Sequence, residues 1–225
     1  MPREPGGSGA RRLYLNFDGA NLSRADLQRY DSGEWGSGIL DSIDSDRNGV
    51  TVQPLFATRS DRTQIINQII SMVQADLSRF GITVVRSTGG AVENQYATTV
   101  FVGQANLTGG AAHIAMDIDV GNRDRTDVAF VSQEDWGSAN NTAIALADVV
   151  LHEAGHTFGL SHVNSGTALE SMGLRYSISD QSRWVQDTTF LNQTFPSLYA
   201  GSPSQNSYQV MAATFGTTAN RLAAP

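Results

Sequence analysis

Three of the four histidines in this 225-residue chain fall within eleven residues, in the run His152-Glu153-Ala154-Gly155-His156-Thr157-Phe158-Gly159-Leu160-Ser161-His162. A spacing of four puts His152 and His156 on one face of a helix, one ring above the other. The preceding residues agree. Ala143, Leu146, Ala147, Val150, Leu151, Ala154 and Phe158 are apolar on most of a helical surface, so the spacing predicts a buried central helix over about 142–158. Gly159 suits its C-terminal stop. The chain must therefore place a helix at the centre of its core and turn sharply after it, so that His162 can return to the other two.

That geometry suits a metal. Two imidazoles at i and i+4 can bind one Zn²⁺, His162 can be the third ligand, and three neutral imidazoles leave one position open. Glu153 lies about 100° around the helix from His152. It can reach water in the open position without being a ligand, which makes it the candidate general base.

Composition narrows the chemistry further. The chain has no Cys and no Lys; its 15 basic residues are all Arg, against 22 acidic ones, for a net charge of -7. Disulfides, thiolate ligands and cysteine nucleophiles are excluded, as is a Lys-dependent phosphate loop. The acidic balance argues against a nucleic-acid partner, and no apolar run approaches a membrane span. Lack of Cys fits an extracellular protein that does without disulfides and equally a small cytosolic one.

Along the chain, Leu13, Leu15 and Phe17 alternate with polar residues in a strand over about 11–19. Residues 21–55 show little periodicity and read as a long loop or short turns. Ile65, Ile66, Ile69, Ile70, Val73 and Leu77 form the stripe of a helix over 61–80, which Asp61 can cap. Short strands follow at 82–85, 97–102 and 127–132, with loop then strand over 109–120. Beyond Gly166 the pattern weakens, although 179–191 has helical spacing. The order predicts a single α/β (or α+β) domain over 11–220. Residues 1–10 read as a flexible linker and 221–225 as a tail.

The histidine run resembles the long zinc signature of the metzincin clan of metallopeptidases, H-E-x-x-H-x-x-G-x-x-H, at every defining position. The resemblance implies a zincin fold: a twisted mixed sheet with a backing helix and a central active-site helix. It implies an upper subdomain over about 11–159 and a less regular lower one over about 160–220. Strand 127–132 would be the antiparallel edge strand of the cleft or its neighbour. It also implies a Met-containing turn beneath the metal, for which Ser171-Met172-Gly173 is placed; an ordinary core Met is the plainer reading of Met172. The expected function is zinc-dependent hydrolysis of protein or peptide substrates, by a secreted or extracellular, monomeric endopeptidase. The alternative is a non-catalytic zinc-binding domain that keeps the fold and binds a protein partner. A form inhibited by residues 20–60 lying in the cleft is a third reading.

Subfamily patterns match only in part. Val163 follows the third His, where astacin-like and adamalysin-like members have an acidic residue, matrixins usually Ser and serralysins Pro. Leu174 stands where astacin-like and serralysin-like members carry Tyr. The nearest, Tyr176, is a candidate cleft wall, or else a fourth ligand or oxyanion donor. Without Cys, latency through a cysteine is impossible.

Other residues carry two readings each. Asp44, Asp46, Asn48 and the Val50 carbonyl follow the start of a Ca²⁺ loop, but position 12 is Leu55, so an Asx-rich turn is the other reading. Asp117, Asp119, Asn122, Asp124 and Asp127 are a second acidic stretch, for Ca²⁺ or for solvated turns. His113 could line the cleft. Asp148, one turn before His152, could orient a ligand or simply face solvent.

Overall fold

A computed structural model describes residues 11–30, 38–92, 97–108, 111–121, 126–166, 168–173 and 186–218. Its elements in chain order are β1 (Arg11–Asn16), β2 (Ala20–Leu22), α1 (Arg24–Tyr30), α2 (Gly38–Ile43), β3 (Val50–Pro54), α3 (Arg62–Ser78), β4 (Ile82–Ser87), β5 (Ala97–Ala105), β6 (His113–Ala115), β7 (Thr126–Ser132), α4 (Ala139–Thr157) and α5 (Ser207–Phe215).

The sheet is mixed. β4, β1, β5 and β7 lie side by side and parallel. β6 adds antiparallel to β7 and forms the edge, with His113 opposite Val131 and Ala115 opposite Ala129. Strand 127–132 is thus the neighbour of the edge strand. β3 pairs antiparallel with the far end of β5, and β2 with β3.

Alternation along the central strands splits the interior into two cores. Val100, Val102, Ala129 and Val131 face α3 and α4, where they pack with Ile65, Ile69, Leu146 and Val150. Phe101, Val128 and Phe130 face the opposite side, against Leu27, Leu40 and Ile43 of α1 and α2. Being covered on both faces, β5 and β7 read as nearly unbroken apolar runs.

Residues 21–55 are a correction to the sequence reading. The described ones, 21–30 and 38–55, contribute to β2, α1, α2 and β3, which cover the second core. Their helices of seven and six residues hold fewer than two turns each, too few to show a period. They are held from outside by Arg24, which bonds the Asp44 carbonyl at 2.6 Å and pairs with Asp41 and Asp44.

One cap assignment and one helix boundary also change. Asp61 stands before α3 but makes no capping bond; its carboxylate takes Arg59 instead, at 2.6 Å. α4 begins three residues earlier than its apolar pattern, because Ser138 accepts a hydrogen bond from the Asn141 amide at 3.1 Å and caps it. In the C-terminal part, α5 is capped by Asn206, which accepts from the Gln209 amide. Its Met211 and Phe215 join the core shared by α3 and α4. Of the expected helix over 179–191, residues 179–185 lie outside the described residues. Residues 186–191 are not helical, and Thr189 forms a β-bridge with Glu170.

Candidate metal centre

α4 carries His152, Glu153 and His156 and ends at Thr157. Gly159 follows with φ +88°, and a Cβ there would stand 2.7 Å from the Asp119 carbonyl oxygen. The left-handed turn and the close approach both require glycine. The chain reverses, the Leu160 amide bonds the Gly155 carbonyl at 2.9 Å, and His162 swings back over the helix.

The three imidazoles converge. His162 Nε2 lies 3.0 Å from His152 Nε2 and 3.1 Å from His156 Nε2. Their outer nitrogens are all engaged. His152 Nδ1 is 2.6 Å from the Ser171 carbonyl oxygen and His156 Nδ1 2.7 Å from that of Leu160. A carbonyl can only accept, so both Nδ1 atoms carry the proton and both Nε2 atoms present a lone pair. His162 Nδ1 lies 2.7 Å from the Tyr199 hydroxyl. Burial pushes His156 well below its usual pKa, with help from the neighbouring His152 and His162, and burial lowers His162 as well. Neutral imidazoles with lone pairs turned on one another repel unless a cation lies between them. Nitrogens bonded to one zinc at about 2.0–2.1 Å and tetrahedral angles stand about 3.4 Å apart, close to the separations here. The donor set fits zinc. Among the described residues this is the one cluster of its kind.

Glu153 shares the cleft, a cavity of about 240 Å³ that also meets all three histidines. It is buried, which pushes its carboxyl up to about 8; a hydrogen bond from the Ala115 amide of β6 works in the other direction. A cation at the histidines would favour the carboxylate.

Met172 is fully buried. Its amide neighbourhood is fixed: Val163 donates to the Met172 carbonyl at 3.0 Å, and Met172 donates to Glu170 at 3.3 Å. A Cβ on Gly155 would stand 2.4 Å from Met172 Sδ, so the thioether lies directly against α4 between the two histidine positions.

The other expected residues divide. Tyr176 lies outside the described residues. His113 lines the cleft, but its ring is engaged. Nδ1 accepts from the Ser132 amide at 3.2 Å, which leaves Nε2–H to donate to Glu134 at 3.2 Å. Asp44 is buried and accepts from the Gly49 amide at 2.9 Å and from Arg24 at 3.1 Å. Asp46 accepts from the Asn48 amide and side chain at 3.2 and 2.9 Å, and Val50 begins β3. The loop's carboxylates are thus tied to protein donors, as in an Asx turn. Asp117, Asp119, Asp127 and Asp148 are all buried, contrary to a solvated reading; Asn122 and Asp124 lie outside the described residues.

Side-chain contributors to the site also escaped the sequence. Tyr199 reaches His162 from 37 residues downstream, and Ile39 of α2 lines the cleft. Neither belongs to a motif. The exposed pair Leu198-Tyr199 had no pattern to mark it.

A mixed sheet with an antiparallel edge strand, a central helix bearing two of three converging histidines, and a buried Met beneath them define a metzincin-like zinc-metallopeptidase fold. A family model described as Matrixin matches residues 55–189, more than half of the chain, and the chain belongs to that family. Val163 remains a departure from the Ser usual there. Among solved structures, archaemetzincin from Methanopyrus kandleri is similar at 13% identity, over 82% of this chain and 89% of that one, with a TM-score of 0.40. No curated protein sequence matches the chain.

Proposed function

We propose that this protein is a zinc-dependent peptide-bond hydrolase, a metalloendopeptidase. The observation that carries the reading is the convergence of three histidine Nε2 atoms, with the Glu153 carboxyl in the same cleft. His152, His156 and His162 would hold the zinc. Zinc held there supplies Lewis acidity toward a peptide carbonyl and toward water.

The protein's own groups do the rest. Glu153 takes the proton of the attacking water and passes it to the leaving amine. β6 has a partner on one side, β7, among the described residues, so its other edge can pair with an extended peptide backbone. The buried helix, with Met172 against Gly155, keeps the ligands rigid. A secreted enzyme is the form of this reading that the clan resemblance supports.

The test uses purified protein loaded with zinc and an unbiased peptide mixture, with new termini mapped with and without a chelator. Cleavage within chains should appear and be abolished by the chelator. Glu153→Gln should keep its zinc and lose about 10²–10⁴-fold in turnover. Full turnover in that variant would refute the role of Glu153. Zinc bound without cleavage of any peptide would favour the non-catalytic binding domain.

A further inference from the structure

Asp148 has no part in the mechanism above, yet it is 3% exposed and lies on α4 one turn before His152. A carboxylate buried in the face of α4 that also carries Ala145, Leu151 and His152 is costly unless donors hold it. Its Oδ1 accepts two hydrogen bonds from one residue, from the Thr188 amide and the Thr188 hydroxyl, both at 2.8 Å.

Thr188 leads into a short pairing with the Met172 turn. The Thr189 amide donates to the Leu169 carbonyl at 3.2 Å, and the Ser171 amide donates to the Thr189 carbonyl at 3.1 Å. The Ser171 carbonyl in turn accepts from His152 Nδ1 at 2.6 Å. The path therefore closes on itself: from α4 through Asp148, residues 188–189 and Ser171 to His152, and back to α4. One helix both carries the ligand and anchors the carbonyl that fixes its tautomer. We infer that Asp148 is a positioning residue for His152, acting through residues 188–189 and the Ser171 carbonyl. The inference rests on the metal-centre reading above but not on peptidase activity. The group that directly holds a ligating His, here the Ser171 carbonyl, typically matters about 10–100-fold for metal affinity, and Asp148 would act by holding it in place.

The same segment is held from α3, where the Thr189 hydroxyl donates to Asp76 at 2.5 Å. That contact keeps residues 188–189 attached when Asp148 is changed, so Asp148→Ala should fold. Asp148→Asn keeps an acceptor oxygen for Thr188, whereas Asp148→Ala removes it.

The experiment measures zinc affinity by chelator competition, together with the ¹⁵N imidazole shifts of His152 in the zinc-free protein. Asp148→Ala should weaken zinc binding about 10–100-fold and mix the His152 tautomers. Asp148→Asn should stay within about threefold of the wild type. A folded Asp148→Ala protein with unchanged affinity and a pure Nδ1–H tautomer, even if less stable, would overturn the inference. If that variant fails to fold, Thr188→Val serves, since it deletes the hydroxyl alone. Faster zinc release supports the inference, and an unchanged rate overturns it. Wild-type protein that binds no zinc would overturn this inference and the metal-centre reading together.

Discussion

Gly155 makes the packing of the metal centre's floor measurable. It lies inside α4, where Gly→Ala ordinarily gains about 1 kcal/mol of helix propensity. Here the new Cβ would stand 2.4 Å from Met172 Sδ, 3.3 Å from Phe190 Cε1 and 3.4 Å from Leu160 Cδ1. Met172, Phe190 and Leu160 are all fully buried, so the sulfur has little room to withdraw. Overpacking of this kind costs about 1–3 kcal/mol. The opposing terms leave Gly155→Ala neutral to about 2 kcal/mol less stable. Met172→Ala alone should cost about 2–5 kcal/mol. In that background the clash is gone, and Gly155→Ala should become stabilising by about 1 kcal/mol. The assay is urea unfolding of zinc-free protein in a Glu153→Gln background, where self-cleavage cannot interfere. The double-mutant cycle should show a coupling of about 1–3 kcal/mol. An effect of Gly155→Ala that is equal in both backgrounds, within about 0.5 kcal/mol, would refute the contact between the Met172 sulfur and the helix.

Two other outcomes follow from side chains at the rim and the surface. Tyr199→Phe removes the hydroxyl beside His162 Nδ1; zinc affinity should fall about tenfold while stability stays within about 0.5 kcal/mol, and chelator competition with unchanged affinity would discount that contact. Asp18 is bridged by Arg62 at 2.8 Å and Arg86 at 2.9 Å. Burial raises its carboxyl pKa, but the hydrogen bonds and charges of the two arginines outweigh that and hold it below 3.8. The unfolded chain then binds more protons in acid, so the stability this gives is present above pH 3.8 and is lost as pH falls through the folded value. The stability gap between wild type and Asp18→Asn should narrow below about pH 4; a constant gap from pH 7 to pH 3 would show that the arginines do not hold the charge.

The ligands and the candidate base were legible because their geometry is local. His152, Glu153 and His156 are fixed by helical periodicity, and His162 by a glycine turn three residues long. α3 and the central strands were legible for the same reason, since each runs through several repeats of its own period. The sequence by itself thus determined the histidine cluster, the buried helix that carries most of it and the α/β class.

The tertiary structure decided what stands behind each ligand. The Ser171 carbonyl, 19 residues from His152, and the Tyr199 hydroxyl, 37 from His162, are contacts across the chain with no periodic trace. Backbone carbonyls carry no residue identity at all, so Ser171 could not be singled out by its side chain. Burial was decided there too. Asp148 and Asp44 read as plausible surface residues until the sheet and helices closed over them. The cover of the second core, from α1 and α2, became visible only once Phe101, Val128 and Phe130 were seen to need it. Local spacing specifies which atoms can bind a metal. Long-range packing supplies the partners of the His152 and His162 Nδ1 atoms, from segments the helix cannot choose for itself, whereas His156 finds its partner in the adjoining turn.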